Sequence, residues 1–175
     1  RLGNPGGISS AGATGNIQTT GLRTINTLTN YIFNGTANQV TGNGMPVSIS
    51  SLTINNTGIA GNRTVTLTTT NTTTPSLTLT AGLFAAGTGQ QLNISAAGTV
   101  TATAGDFETS VTAGILNFPG TGIFSGTCNP YNVHVSGGVN FGVGTVTIQN
   151  GGSFRINTGG SAITNGPFYA IGSTL

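Results

Sequence analysis

An all-β chain, and within that class a solenoid of stacked coils, is what this sequence predicts, with packed β-sandwich repeats as the alternative. Three observations lead there. β-Branched residues abound while strong helix formers are scarce; no window carries a helical stripe; and short runs alternate apolar with polar residues between clusters of Gly, Asn, Ser and Pro. Branched Cβ atoms pack well on a pleated surface. Period two then sends the apolar residues to one face and Thr to the other.

The runs lie at 31–33, 47–54, 64–68, 76–80, 91–95, 131–135, 145–148 and 153–156. Leu52-Thr53-Ile54, Val65-Thr66-Leu67, Leu77-Thr78-Leu79 and Val146-Thr147-Ile148 show the alternation most clearly. The pairs Leu52/Ile54, Val65/Leu67 and Leu77/Leu79 recur about every 12 to 13 residues and are expected to enter one shared core from parallel strands. The residues between the runs supply positive φ and side-chain-to-backbone turns.

Composition narrows the class further. The 175 residues suffice for one domain with a core, taken as 1–175. Only 3% are charged, against about 25% in ordinary domains. The cations are Arg1, Arg23, Arg63 and Arg155, with no lysine, and the acids are Asp106 and Glu108. Disorder usually accompanies high net charge and few β-branched residues, so the chain is expected to be ordered. A pI near 9.2 rests on a net charge of +2. Four scattered arginines make no patch that tracks phosphates, so nucleic acid is not an expected partner. No apolar run approaches the ~18 residues of a membrane-spanning helix, so no membrane insertion is expected. Cys128 stands alone and builds no internal disulfide framework.

Three features favour the solenoid over the sandwich. No Trp is present to anchor a sandwich core. Asn and Gly recur at strand ends, as in Ile148-Gln149-Asn150-Gly151-Gly152 and Ile156-Asn157-Thr158-Gly159-Gly160, where they can stack into polar ladders at corners. Thr-rich outer faces suit coil-on-coil stacking, where like side chains sit about 4.8 Å apart and charges would repel. At about 20 to 25 residues per coil, seven to nine coils are expected. Residues 171–175 read as a strand cut midway, and neither end reads as a polar cap. The chain is therefore expected to be a fragment of a longer repetitive protein, unstable or adherent by itself.

The stretch Gly12-Ala13-Thr14-Gly15-Asn16-Ile17-Gln18-Thr19-Thr20-Gly21 leads into 31–46, Tyr31-Ile32-Phe33-Asn34-Gly35-Thr36 through Gly44-Met45-Pro46, and then Ser51-Leu52-Thr53-Ile54-Asn55-Asn56-Thr57. Together with 122–135 and 139–170, this resembles the repeats of giant surface proteins exported by the type 9 secretion system of Gram-negative bacteria. The resemblance covers most of the chain and is less distinct over about 58–115. It implies a right-handed parallel β-helix, an extracellular or cell-surface location, and roles in adhesion or gliding. The partners it implies are neighbouring coils of the parent chain, the export machinery and surface glycans. The family's C-terminal sorting domain is expected to lie outside this segment, in keeping with a fragment of a longer chain. These are repeat patterns, which speak to architecture rather than activity.

Asp106 and Glu108 are the candidate catalytic pair. At i and i+2 on a strand they point the same way about 7 Å apart, a spacing that glycosidase carboxylates also use. The competing reading is two solvated carboxylates around a core Phe107, and it is preferred because a flat strand face rarely surrounds a scissile bond. His134, between Val133 and Val135, is expected to face outward. A metal site would want further ligands than this chain offers, and a Ser–His–Asp arrangement would need Asp106 beside His134. Cys128 is expected in a polar turn before Asn129-Pro130, with an intermolecular disulfide as the lesser reading. No phosphate-loop or calcium-binding nonapeptide pattern occurs, so no cofactor is expected. Five N-x-S/T sequons, at Asn34, Asn55, Asn62, Asn71 and Asn93, are what a Thr-rich chain produces by chance. The expected function is a structural or adhesive stalk without enzymatic activity. A segment of a carbohydrate-active β-helix enzyme and a subunit of a self-assembling fibre are the alternatives.

Overall fold

The computed structural model describes residues 1–21, 23–108 and 114–175. Among them it contains no helix and sixteen strands. In chain order these are β1 (Asn30–Phe33), β2 (Gln39–Val40), β3 (Ser51–Asn55), β4 (Thr64–Leu67), β5 (Thr72–Ala81), β6 (Leu83–Ala86), β7 (Gln91–Ala102) and β8 (Asp106–Phe107). The second half holds β9 (Ile115–Phe118), β10 (Gly122–Gly126), β11 (Asn132–Val135), β12 (Gly138–Val143), β13 (Thr147–Ile148), β14 (Ser153–Ile156), β15 (Ser161–Thr164) and β16 (Phe168–Tyr169).

Every strand pairing is parallel, and the neighbours are coils, not hairpins. This is a parallel β-solenoid of about six turns. A sandwich, whose sheets are antiparallel, does not fit. The pairings form three runs. The first is β1-β3-β5-β7-β10-β12-β15. The second is β2-β4-β6-β8, with β13-β16 paired further along and Cys128 bridged to Val146 between them. The third begins with a bridge from Ser48 to Thr73, passes through the first halves of β5 and β7, and continues through β9, β11 and β14.

The two long strands turn a corner between the third run and the first. In β5 the corner falls at Pro75, where the register jumps between Thr74 and Ser76. Proline suits it, because it has no N–H to leave unpaired. In β7 the matching corner contains Ala97, which takes φ 60°. Asn71 takes φ 55° just before β5, the left-handed conformation expected of the inter-strand Asn residues.

Alternation works as predicted. Leu52, Ile54, Val65, Leu67, Leu77 and Leu79 are all fully buried in one core. The recurrence of 12 to 13 residues has a different meaning, however. Leu52 stacks on Leu77, whereas Val65 belongs to the second run and stacks on Phe84. The short repeat thus marks two walls of one coil. The inner columns run Tyr31–Leu52–Leu77–Val100–Phe124 and Leu92–Leu116–Val133–Phe154. Complete burial of each such side chain contributes about 1.5–3 kcal/mol. Four phenylalanines, Phe118, Phe124, Phe141 and Phe154, form a chain of ring contacts with centroids 5.1–5.5 Å apart.

The expected count of seven to nine coils is too high. Among the described residues, 9–21 and 23–29 contribute no strand, so the first coil, from the Leu2 bridge to its partner Phe33, is long. Arg23 gathers this segment, donating to the carbonyls of Ser9, Gly12 and Thr19. The run expected over 47–54 is likewise shorter: Val47 is exposed and β3 starts at Ser51. Polar corner stacking does occur. Buried Gln39 accepts from Gly35 N–H and donates to the carbonyls of Leu2 and Asn4, while buried Asn56 donates to Ala37 O and to Gln39 Oε1.

Candidate functional site

Asp106 and Glu108 flank buried Phe107 at the edge of β8, both half-buried. The preferred picture of two solvated carboxylates needs correction, because both are engaged. Asp106 Oδ1 accepts from Asn129 N–H at 2.6 Å and from its own neighbour Phe107 N–H at 2.8 Å. Its Oδ2 accepts from Asn129 Nδ2 at 2.5 Å. Charge-assisted bonds of this length are strong, and here they tie one coil to the next. Glu108 reaches the other way, its Oε2 accepting from Thr64 Oγ1 at 2.6 Å. The two acids therefore act as opposed inter-coil struts. Beside Glu108 the outer surface of the second run forms an open groove with Asn38, Thr64 and Thr66.

His134 faces outward on β11 between buried Val133 and Val135, as alternation predicts. In register it sits between Asn117 of β9 and Arg155 of β14. Partial burial, and then the Arg155 guanidinium, hold its imidazole below the ordinary pKa. His134 lies in the third run and Asp106 in the second, so the Ser–His–Asp arrangement does not assemble. No group of three metal-ligating side chains occurs among the described residues.

Cys128 is not the polar-turn residue expected from its neighbours. It is fully buried in the core, on a bridge to Val146. Burial, helped by the nearby Asp106 charge, pushes its thiol up to about 12. A buried neutral thiol behaves as a small apolar side chain and is not placed to pair with another chain.

Sequence reasoning missed Asn129, Thr64 and Arg155. Each matters only through the residue on a neighbouring coil that it meets, and coil register leaves no local mark in the sequence. Among the described residues no helix is long and apolar enough to cross a membrane. No family model matches the chain, and neither the curated proteins nor the solved structures provide a match.

Proposed function

We propose that this segment is a structural or adhesive stalk of a secreted bacterial cell-surface protein, exported by a type 9 system. The observation that carries the reading is the outer surface of the parallel stack. It is built of uncharged ladders, Thr53 beside Thr78 beside Thr101 in the first run and Asn93 beside Asn117 in the third. Asn117 Nδ2 donates to Asn93 Oδ1 at 2.8 Å, and Ser153 Oγ to Asn132 Oδ1 at 2.9 Å. Such ladders let coil follow coil without charge repulsion, each coil adding about 4.8 Å of rigid length. Six turns then span roughly 30 Å. The repeat resemblance supplies the secretion route.

Antibody labelling of intact source cells tests the reading. Labelling of the surface that disappears when type 9 export is disabled supports it. An intracellular protein, or surface labelling indifferent to that export route, contradicts it. The competing enzyme reading is tested by replacing Asp106→Asn and Glu108→Gln together. Any glycan-cleaving activity of the parent should persist, and a large loss with the fold intact would favour the enzyme.

A further inference from the structure

We propose that the outer surface of the third run binds an acidic polysaccharide, a polymer of sugars carrying carboxylates, through His134 and Arg155. The column involved is Thr73, Asn93, Asn117, His134 and Arg155, each in register with the next. Neighbouring rungs are about 4.8 Å apart, so His134 and Arg155 present two basic groups at close range. Like charges directly opposite across strands are destabilising. In a chain with four arginines and one histidine, this stacking puts two of the five basic side chains together. Neither side-chain acid stands in this column: Asp106 lies on β8 in the second run, and Glu108, just past β8, bonds Thr64 through its carboxylate. The basic groups facing His134 from the strands packed beside it reduce to Arg155 of β14, because Asn117 of β9 is uncharged. Beside the pair lies an open groove of about 510 Å³ that also takes in Ser153, Thr174 and Leu175, whose terminal carboxylate is the one acidic group on the residues lining it.

The chemistry of the column selects the ligand. Arg155, joined by His134 once that imidazole is protonated, meets a carboxylate, and the amides of Asn117 and Asn93 further along meet hydroxyls. A pyranose unit is close in length to one rung, so a chain running along the solenoid axis offers one sugar per coil. A compact anion would use only the two basic groups. The lowered basicity of His134 adds a condition. The imidazole is neutral at neutral pH and charges as pH falls below its ordinary value of 6.5. Uronate carboxylates stay ionised down to about pH 4. Binding therefore strengthens between those limits. The proposal draws on the stalk reading only for access to such polymers outside the cell; binding itself is measured with purified protein and stands or falls separately.

The test is calorimetric titration of the full chain with oligogalacturonate, and with the same oligomer methyl-esterified, at low salt. The acid form should bind and the ester at least tenfold more weakly. Binding should tighten roughly threefold from pH 7.5 to pH 5, the scale of one exposed charge contact. His134→Gln should remove that pH gain, Arg155→Gln should weaken binding at both pH values, and Arg1→Gln should change neither. Both site substitutions lie on the outer surface, and circular dichroism verifies that the fold persists. Equal binding of the ester, indifference to both site variants, or equal weakening by Arg1→Gln would overturn the proposal. So would equally tight binding of duplex DNA, which would mean that the surface accepts any polyanion.

Discussion

Phe124 and Ile123 are adjacent in β10 but have opposite fates, and replacing each by Ala tests the packing directly. Phe124 is fully buried, while Ile123 is 39% exposed. The Phe124 ring lies 5.2 Å from Phe118 and 5.1 Å from Phe141, stacked on the latter at 18°. Truncating a buried Phe costs about 3–5 kcal/mol, and two ring contacts place Phe124→Ala toward the top of that range. In a chain of this size each kcal/mol shifts Tm by about 2–4 °C, so a fall of about 10–15 °C is expected. Coils couple mainly to their neighbours, so the transition should also broaden. Ile123→Ala should cost less than about 1 kcal/mol, because much of that side chain already meets water. Thermal and urea unfolding followed by far-UV circular dichroism measures both. Equal effects of the two substitutions, or a Phe124→Ala loss below about 1 kcal/mol, would refute the inward and outward assignment of β10.

Two further substitutions and one labelling experiment probe the coil contacts. Gly126→Ala should cost about 3–5 kcal/mol, combining backbone strain with overpacking, because Gly126 has φ 86° and a Cβ there would sit 1.8 Å from the Ala102 carbonyl oxygen. An unchanged Tm would show that the two coils do not approach so closely. Asp106→Asn should destabilise by about 1.5–3 kcal/mol, because the new amide meets Asn129 Nδ2 donor to donor. A neutral result in urea melts would mean that the strut carries no load. The Cys128 thiol, pushed up to about 12 from an ordinary 9.0, should resist thiol reagents in the native chain at pH 8 and react on unfolding. Because the folded state holds the proton more tightly, its stabilising effect is complete below about pH 9 and is lost as pH rises toward 12. Rapid stoichiometric labelling of native protein would contradict its burial.

The class of fold and the inward residues were legible because they depend on local pattern. Leu77-Thr78-Leu79 alternates, and the structure buries Leu77 and Leu79 while leaving Thr78 outside. Coil length was not legible, because Val65-Thr66-Leu67 has the same pattern whether it stacks on Leu52 or faces it across the core. Cys128 was misplaced because Asn129-Pro130 looks like a turn whichever way its neighbour points. The Asp106–Asn129 and His134–Arg155 contacts join residues 23 and 21 positions apart, set by coil lengths that vary along the chain. Only the register reveals them.

That register is the central claim, and one crosslinking measurement tests it. In a Cys128→Ala background, Thr53→Cys is combined either with Thr78→Cys or with Thr66→Cys. Thr53 and Thr78 are in-register neighbours on the outer surface of the first run, with Cα atoms about 4.8 Å apart, inside the range a disulfide spans. Thr66 belongs to the second run, on another wall of the coil. Mild oxidation followed by peptide mass spectrometry should find the 53–78 disulfide in high yield and no intramolecular 53–66 disulfide. A 53–66 crosslink without the 53–78 one would mean that successive short repeats stack directly, and that the three-walled coil described above is wrong.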